Sequence, residues 1–580
     1  MTDIEARILD GLNGSQKEAV TAADGPLMVV AGPGTGKTLT IVRRIACLVD
    51  RGARPEHILA VTFTNRAAQE MRERTAALLG KDATKVFIGT FHMLGLQIIR
   101  DNTPHDFIIC TRSDQVNLLT AILQETAHRR EANETAETIS RIKNFLEDGD
   151  EDMRAVYDQY QAALREKKAF DLDDLILMPI EMLRDHLLLQ RYKDRFQHII
   201  VDEYQDINPA QYRLLRLLTG DSGNICVVGD ADQAIYAFRG ADVTNFLSFG
   251  NDFPAARRIT LSHNYRSAAG IIRASDSMIC NNARRIEREL LPVRGKGKPI
   301  TIVSVPDERA EAELAVGEIE ARIGGTSHYQ LMHAPHRQDS PDGACSFSDF
   351  AVIYRTNAQA EIIEEVFQAS GIPCQVIGSR RLSGKGTYSE IIGALKDRAA
   401  DIDPGKLVNA SSVEELIRSA FSELGADDNS FLCRLLINII PHNDGPGIQT
   451  LLDAVNMVQL LLPSDDFDPG ADSVALMTLH MAKGLEFKVV FIAGVEEGLM
   501  PYSCREGYGD GEEERRLLYV GMTRAKEELF LLHARSRFLY GKRTTPQPSP
   551  FVREIPGAFT QTITVPDRAK RRHQKQMKLF

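Results

Sequence analysis

PLMVVAGPGTGKT, residues 26–38, sets an apolar run against a glycine-rich loop and leads into an amphipathic pattern. A strand that ends in such a loop and continues as a helix is the setting of a phosphate-binding loop. The glycines let backbone N–H groups wrap an anion at the helix N-terminus, Lys37 reaches the terminal phosphates, and Thr38 offers its hydroxyl to magnesium. The nucleotide-binding stretch read this way is Ala31, Gly32, Pro33, Gly34, Thr35, Gly36, Lys37 and Thr38, with alanine at 31 where the strict pattern has its first glycine.

Working outward, short apolar runs alternate with helical stretches: ILAVTF (58–63), KVFIGT (85–90), HIIVDE (198–203), NICVVG (224–229) and RRITLS (257–262). Strand alternating with helix predicts a parallel sheet covered on both faces. A second series follows Arg266, with PITIVSV (299–305), DFAVIYR (349–355), CQVIG (374–378), VALMTL (474–479), KVVFIAG (488–494) and ELFLLHA (528–534). The fold expected is α/β, two units with parallel sheets, each carrying a helical insertion. The first domain takes residues 1–104 and 171–265 around an insertion at 105–170. The second takes 266–394 and 471–545 around a short insertion at 395–470, and 546–580 reads as a basic flexible tail. The polar stretch 325–347 reads as a surface loop.

The chain has 580 residues, 43% apolar and 26% charged, the range of an ordinary multidomain globular protein. Its net charge is −11, so a polyanion partner needs a local basic patch. The eight cysteines are scattered without metal-ligand spacing and read as reduced, mostly buried thiols. No apolar stretch is long enough to span a bilayer and the first ten residues carry acids, so a cytoplasmic protein with no membrane association is expected.

IIVDEYQD (199–206) puts two carboxylates at the end of an apolar strand. There Asp202 would hold magnesium with Thr38, and Glu203 would orient or deprotonate an attacking water. With this pair in place the sequence resembles a superfamily 1 helicase of the UvrD, PcrA and Rep type, over nearly its whole length. LNGSQKEAV (12–20), VTFTNRAAQEMRER (61–74), GTFHMLG (89–95), VVGDADQAIYAFRGAD (227–242), HNYRS (263–267), TLHMAKGLEFKVVF (478–491) and EEERRLLYVGMTRAKEEL (512–529) follow the family's motif order.

The resemblance implies two RecA-like domains, ATP and Mg2+ as cofactors, and 3′ to 5′ movement on single-stranded DNA toward duplex junctions, in repair or replication. It makes Gln16 a reader of adenine, Tyr265 an aromatic stacked on that base, and Glu486 a neighbour of the ribose. Gln233 becomes the γ-phosphate sensor, and Arg266 and Arg524 the arginine fingers, catalytic beside Lys37, Asp202 and Glu203. Phe63, Tyr236 and Phe238 would stack on bases, with Asn65, His92 and His480 as polar DNA contacts.

The chain departs from the family where it has no tryptophan, so Phe238 takes a place commonly held by that larger ring. Leu39 follows GKT where relatives often carry an arginine, and HNDGPGIQTLL (442–452) matches the family's duplex contact only loosely. A translocase that displaces bound proteins while unwinding weakly, or a nucleotide-binding adaptor, are the alternative readings. The terminal QMKLF (576–580) resembles the pentapeptide that binds the bacterial sliding clamp, with Gln576 at the rim and Leu579 and Phe580 in the apolar cleft.

Overall fold

The apolar runs of the N-terminal half assemble into one parallel sheet. The computed structural model describes residues 7–567 except 105–106, 126–129, 147–148, 221–222, 325–344 and 503–510. Between 379 and 462 it describes 390–391, 393–395, 410–425, 433–434, 437, 456–457 and 459–460. The strands are β1 (Leu27–Ala31), β2 (Ile58–Thr62), β3 (Phe87–Thr90), β4 (His198–Val201), β5 (Asn224–Gly229) and β6 (Arg257–Leu261). They lie in the order β3-β2-β4-β5-β1-β6, every neighbour parallel.

Alternation of side chains along each strand builds two cores, one on each face. Leu27, Val29 and Ala31 join Ile41, Ile45, Ile58, Ala60 and Ile200 on one side. Met28 and Val30 join Leu59, Val61, Ile199, Val201 and Leu214 on the other. Burial on both faces is why these strands read as solid apolar runs. Because all six run the same way, the residues that follow them share the carboxyl edge: the loop after Ala31, Phe63 after β2, His92 after β3, Asp202 and Glu203 after β4, and Asp230 to Gln233 after β5.

The first insertion leaves and re-enters this unit at a two-stranded parallel tie, Ile108–Ile109 against Ala169–Phe170. Its helices Arg112–Glu125, Ala132–Phe145 and Glu151–Glu166 close a small core of their own around Leu119, Ile139, Val156 and Tyr160. Beneath it Lys143, fully buried, sits 2.6 Å from Asp171 and 2.7 Å from Asp174. Asn144 next to it accepts from Asn208 at 2.6 Å. Asn208 in turn caps the helix Pro209–Thr219 that follows the acidic pair.

The second unit holds β7 (Ile300–Asp307), β8 (Phe350–Tyr354), β9 (Cys374–Val376), β10 (Val474–Thr478), β11 (Phe487–Ile492), β12 (Ala525–Leu539), β13 (Lys542–Thr544) and β14 (Thr560–Thr564). Their order is β9-β10-β8-β11-β12-β7-β14, parallel throughout, with β13 folded back antiparallel on β12.

Two segments differ from the sequence reading. Residues 550–564, expected in a flexible tail, form two short 3-10 turns and the edge strand β14, in register with β7 from Ile300 opposite Thr560. The described residues of the 378–468 range group with the first unit, although they are inserted into the second. Leu460 fills a core with Leu96, Ile99, Phe107, Ile109 and Leu175. The carboxamide of Asn456 accepts from Ile109 N at 2.8 Å and donates to Phe107 O at 2.9 Å.

The stretch 442–452, Cys504, most of the expected surface loop and the terminal Gln576, Leu579 and Phe580 lie outside the described residues. Among the described cysteines all are free thiols, and Cys47, Cys110, Cys226, Cys345 and Cys433 are buried. No helix among the described residues is long and apolar enough to cross a membrane.

Helix Phe91–Asn102 packs against helix Asp174–Met182 at a point where only glycine fits, since a Cβ on Gly95 would lie 1.7 Å from the carbonyl oxygen of Leu175. Gly95→Ala therefore has to force the two backbones apart, and is expected to destabilise the first unit by about 1–3 kcal/mol. The shift of its urea unfolding midpoint measures this.

Candidate functional site

The loop after β1 turns through Gly34 and Gly36, both with positive φ, and Gly36 is the N-cap of helix Lys37–Asp50 without any side-chain cap. The first-turn N–H groups of that helix are therefore left to an external acceptor, and the helix dipole favours an anion there. A side chain at Gly36 would be strained at φ +84° and its Cβ would meet Gln16 Nε2 at 2.7 Å. Thr35 closes the loop by donating its hydroxyl to Gly32 O at 2.8 Å.

Gln16, assigned to the base, is buried and already bonded. It donates to Thr35 O at 3.0 Å and accepts from Asn13 N at 3.0 Å in a capping box. Its carboxamide thus braces the loop, with one N–H and one lone pair left over.

Across the edge, Lys37 Nζ lies 3.3 Å from Glu203 Oε1. Asp202 is buried, and its Oδ1 accepts from Glu203 N at 3.0 Å. Glu203 sits at φ 51°, a left-handed conformation a glutamate seldom adopts, which turns it out of the strand direction. Its other oxygen is held by Gln205 Nε2 at 2.5 Å. The Thr38 hydroxyl and the Asp202 carboxylate are hard oxygen donors of the kind magnesium takes. Gln233, also buried, donates to Asp230 Oδ2 at 2.7 Å.

Further along the same edge is an aromatic row. Phe63 stacks on Tyr236 with centroids 4.6 Å apart at 22°, and Tyr236 lies 6.0 Å from Phe238. Phe238 is 58% exposed, whereas Tyr236 is buried at 8% and has one face covered by Phe63. Of the three rings, Phe238 offers the open surface and Tyr236 the support. Arg239 lies 5.6 Å from the centroids of both Tyr236 and Phe238, a cation beside the platform that the sequence reading left out. Burial and the nearby Arg239 charge push His92 down to about 4, so it stands neutral at physiological pH.

Asn65 is occupied otherwise than expected. Its Nδ2 donates to Leu460 O at 2.8 Å and to Asp465 Oδ2 at 2.9 Å, and the adjoining Arg66 lies 4.8 Å over the Phe467 ring. In this arrangement both amide hydrogens are used within the protein, because Leu460, Asp465 and Phe467 meet the start of helix Asn65–Leu79.

In the second unit, Tyr265 is exposed and Arg266 donates to Glu486 Oε2 at 2.7 Å. Lys526 holds the other oxygen of Glu486 at 2.8 Å. Burial would raise this carboxyl, but Arg266 and Lys526 outweigh it and hold Glu486 at about 2. Glu486, assigned to the ribose, is thus the anchor of Arg266. Arg524 is buried and donates to Val520 O, Leu485 O and Thr523 Oγ1 at 2.9, 3.3 and 3.0 Å. Ser267 and Ala268 are tied to Ala525 O and Lys526 O, so the two arginine-bearing segments form one body. His480 is half-buried in the turn after β10.

Sequence reasoning missed Gln205, Arg239 and two arginines, Arg285 and Arg288, that reach Asp230 and Asp232. The only signal for Arg239 was its place beside Phe238; the others are single polar residues without a spacing pattern.

With this geometry in hand, comparison with known proteins is specific. Residues 12–254 match the UvrD/REP helicase N-terminal domain, and residues 259–400 and 429–536 match the UvrD-like helicase C-terminal domain. A protein of Staphylococcus aureus (strain MRSA252) named ATP-dependent DNA helicase PcrA is 32% identical, over 96% of this chain and 87% of its own. Proteins of the same name from Leuconostoc citreum and Bacillus subtilis (strain 168) are also 32% identical, over 96% and 97% of this chain and 86% and 88% of theirs. The chain therefore belongs to the UvrD/PcrA family of superfamily 1 helicases, and its two parallel sheets are the family's two RecA-like domains.

Proposed function

We propose that the protein is an ATP-dependent DNA helicase that moves 3′ to 5′ along single-stranded DNA, in the cytoplasm, in repair or replication. The observation that carries the reading is the meeting of the phosphate loop and the acidic pair at one sheet edge, with Lys37 3.3 Å from Glu203, beside an exposed aromatic on the same edge. Lys37 and the uncapped helix N-terminus bind the β- and γ-phosphates, which frees Glu203 from its ion pair to orient and deprotonate the attacking water. Gln233 senses the γ-phosphate, and Arg266 and Arg524 stabilise the charge that develops on it. Thr38 and Asp202 would hold magnesium, which would neutralise phosphate charge.

On the DNA side, Phe238 is the base platform, backed by Tyr236 and Phe63, with Arg239 drawing the phosphate backbone alongside. His92 and His480 are polar contacts, and Asn65 joins them when its bonds to Leu460 and Asp465 open. Tyr265 stacks on the adenine. Gln233 and Phe238 lie in one short segment after β5, so a change at the γ-phosphate reaches the base platform through five residues of chain. The tail from Gln576 to Phe580 adds a sliding-clamp contact.

Lys37→Ala is expected to abolish DNA-stimulated ATP hydrolysis while DNA binding stays within about 3-fold of wild type; turnover near the wild-type rate would remove the loop from catalysis. Phe238→Ala is expected to slow unwinding of a 3′-tailed duplex by about 10-fold or more. Its ATPase rate in excess DNA should change much less, and a parallel loss of both activities would break the link between platform and motor. A 5′-tailed duplex run alongside tests the direction. A peptide of residues 566–580 is expected to bind purified sliding clamp, and Leu579→Ala with Phe580→Ala to abolish binding in an anisotropy titration.

A further inference from the structure

Asp230 and Asp232 follow β5 within three residues of Gln233, and both are buried at 1% exposure. Two carboxylates held this close and out of water are costly unless cations meet them. The cations come from residues 285–289, a strap that the chain sends back into the first unit between two stretches of the second.

Arg288, its side chain fully buried, donates from Nη2 to Asp230 Oδ2 and Oδ1 at 2.8 and 3.0 Å, and from Nε to Oδ1 at 3.2 Å. Its Nη2 is also 3.1 Å from Asp232 Oδ2. Arg285 takes Asp232 in a fork, Nη2 to Oδ2 at 2.9 Å and Nε to Oδ1 at 3.2 Å. Even so, burial and Asp230 push the Asp232 carboxyl up to about 6 against the pull of both arginines. Oδ2 of Asp230, which receives Arg288 Nη2, also holds Gln233 Nε2 at 2.7 Å. The backbone N–H of Asp230 donates to Gln205 Oε1 at 3.0 Å, and Gln205 holds Glu203. One carboxylate residue thus joins the acidic pair, the sensor and the strap.

The strap continues directly into a stretch bonded to the Arg266 segment. Val293 N donates to Asn264 O at 2.9 Å, and Arg294 Nη1 donates to the carbonyl of Arg266 itself at 2.9 Å. Within ten residues of chain, one end grips the support of Gln233 and the other grips the backbone of Arg266.

We propose that residues 285–294 are a connecting rod between the sensor and the arginine finger, with Arg288 as the positioning residue that fixes Gln233 through Asp230. The proposal rests on Gln233 sensing the γ-phosphate. A bidentate fork on the shared carboxylate holds the sensor's acceptor in one orientation, which a point charge does not do. A shift of Gln233 on hydrolysis then pulls on Arg266 through a short, anchored length of chain.

DNA-stimulated ATPase kinetics of the full chain test this, for wild type, Arg288→Lys, Gln233→Ala and the double variant, with thermal unfolding as a fold control. Arg288→Lys is expected to lower kcat about 10-fold with KM for ATP changed by less than about 2-fold, and the double variant to be no slower than Gln233→Ala alone. Losses that multiply in the double variant, or an unchanged kcat in Arg288→Lys beside a slowed Gln233→Ala, overturn the positioning role and leave the sensor assignment intact. An unchanged kcat in Gln233→Ala overturns the sensor assignment and the rod with it. A second variant with two glycines inserted after Glu289 slackens the rod without touching either grip. It is expected to bind a fluorescent ATP analogue as wild type does while losing about 10-fold in DNA-stimulated kcat, and wild-type turnover there overturns the proposal even if Arg288→Lys fails to fold.

Discussion

Strands that all run the same way must all end on the same side, and in the first unit that single constraint gathers the chemistry. Five of its six strands deliver a segment of the candidate site at their carboxyl ends: the glycine loop, Phe63, His92, the acidic pair and the Asp230–Gln233 segment. Crossover helices buried against both faces keep those ends in register, and the cores on either side are apolar and continuous enough to make the edge rigid. The glycines and the left-handed Glu203 then do local work that a strand or helix cannot, turning N–H groups and a carboxylate toward one point.

The charges at this edge and in the second unit are arranged as chains of partners. Lys37 leans on Glu203, Glu203 on Gln205, and Gln205 on Asp230, which is shared by Gln233 and Arg288. Arg266 and Lys526 divide the two oxygens of Glu486. Burying ions in this way does little for net stability, since desolvation consumes most of the Coulombic gain. What such chains provide is position: Gln205 links the carboxylate of Glu203 to the backbone of Asp230, so each side chain of the series is held in one orientation by the next.

The sheets were legible because a strand buried on both faces must be apolar along its whole length, as PLMVV and NICVVG are. The edge strand β14 was not, because TQTIT is exposed along nearly its whole length and carries no such run. That the described residues of the 378–468 range associate with the first unit was equally hidden. An insertion's position in the sequence tells where it is attached, and Leu460 and Asn456 show that attachment and packing partner differ. At the site, the glycine loop and the carboxylate pair carry spacing that can be recognised, whereas Gln205 and Arg288 matter through bonds to residues that only folding brings near.

The short tie between Ile108–Ile109 and Ala169–Phe170 has a consequence for how the chain reaches this state. Strands β3 and β4 flank β2 in the sheet but are separated in sequence by the whole first insertion. Bringing them together as free coil would mean closing a long loop, whose entropy grows with its length. With its own core and its two ends knotted at one point, the insertion behaves as a preassembled bead, and the chain left to close is only what lies between the bead and the strands. A local helical folding unit thus shortens the path to the pairing of β2 with β4.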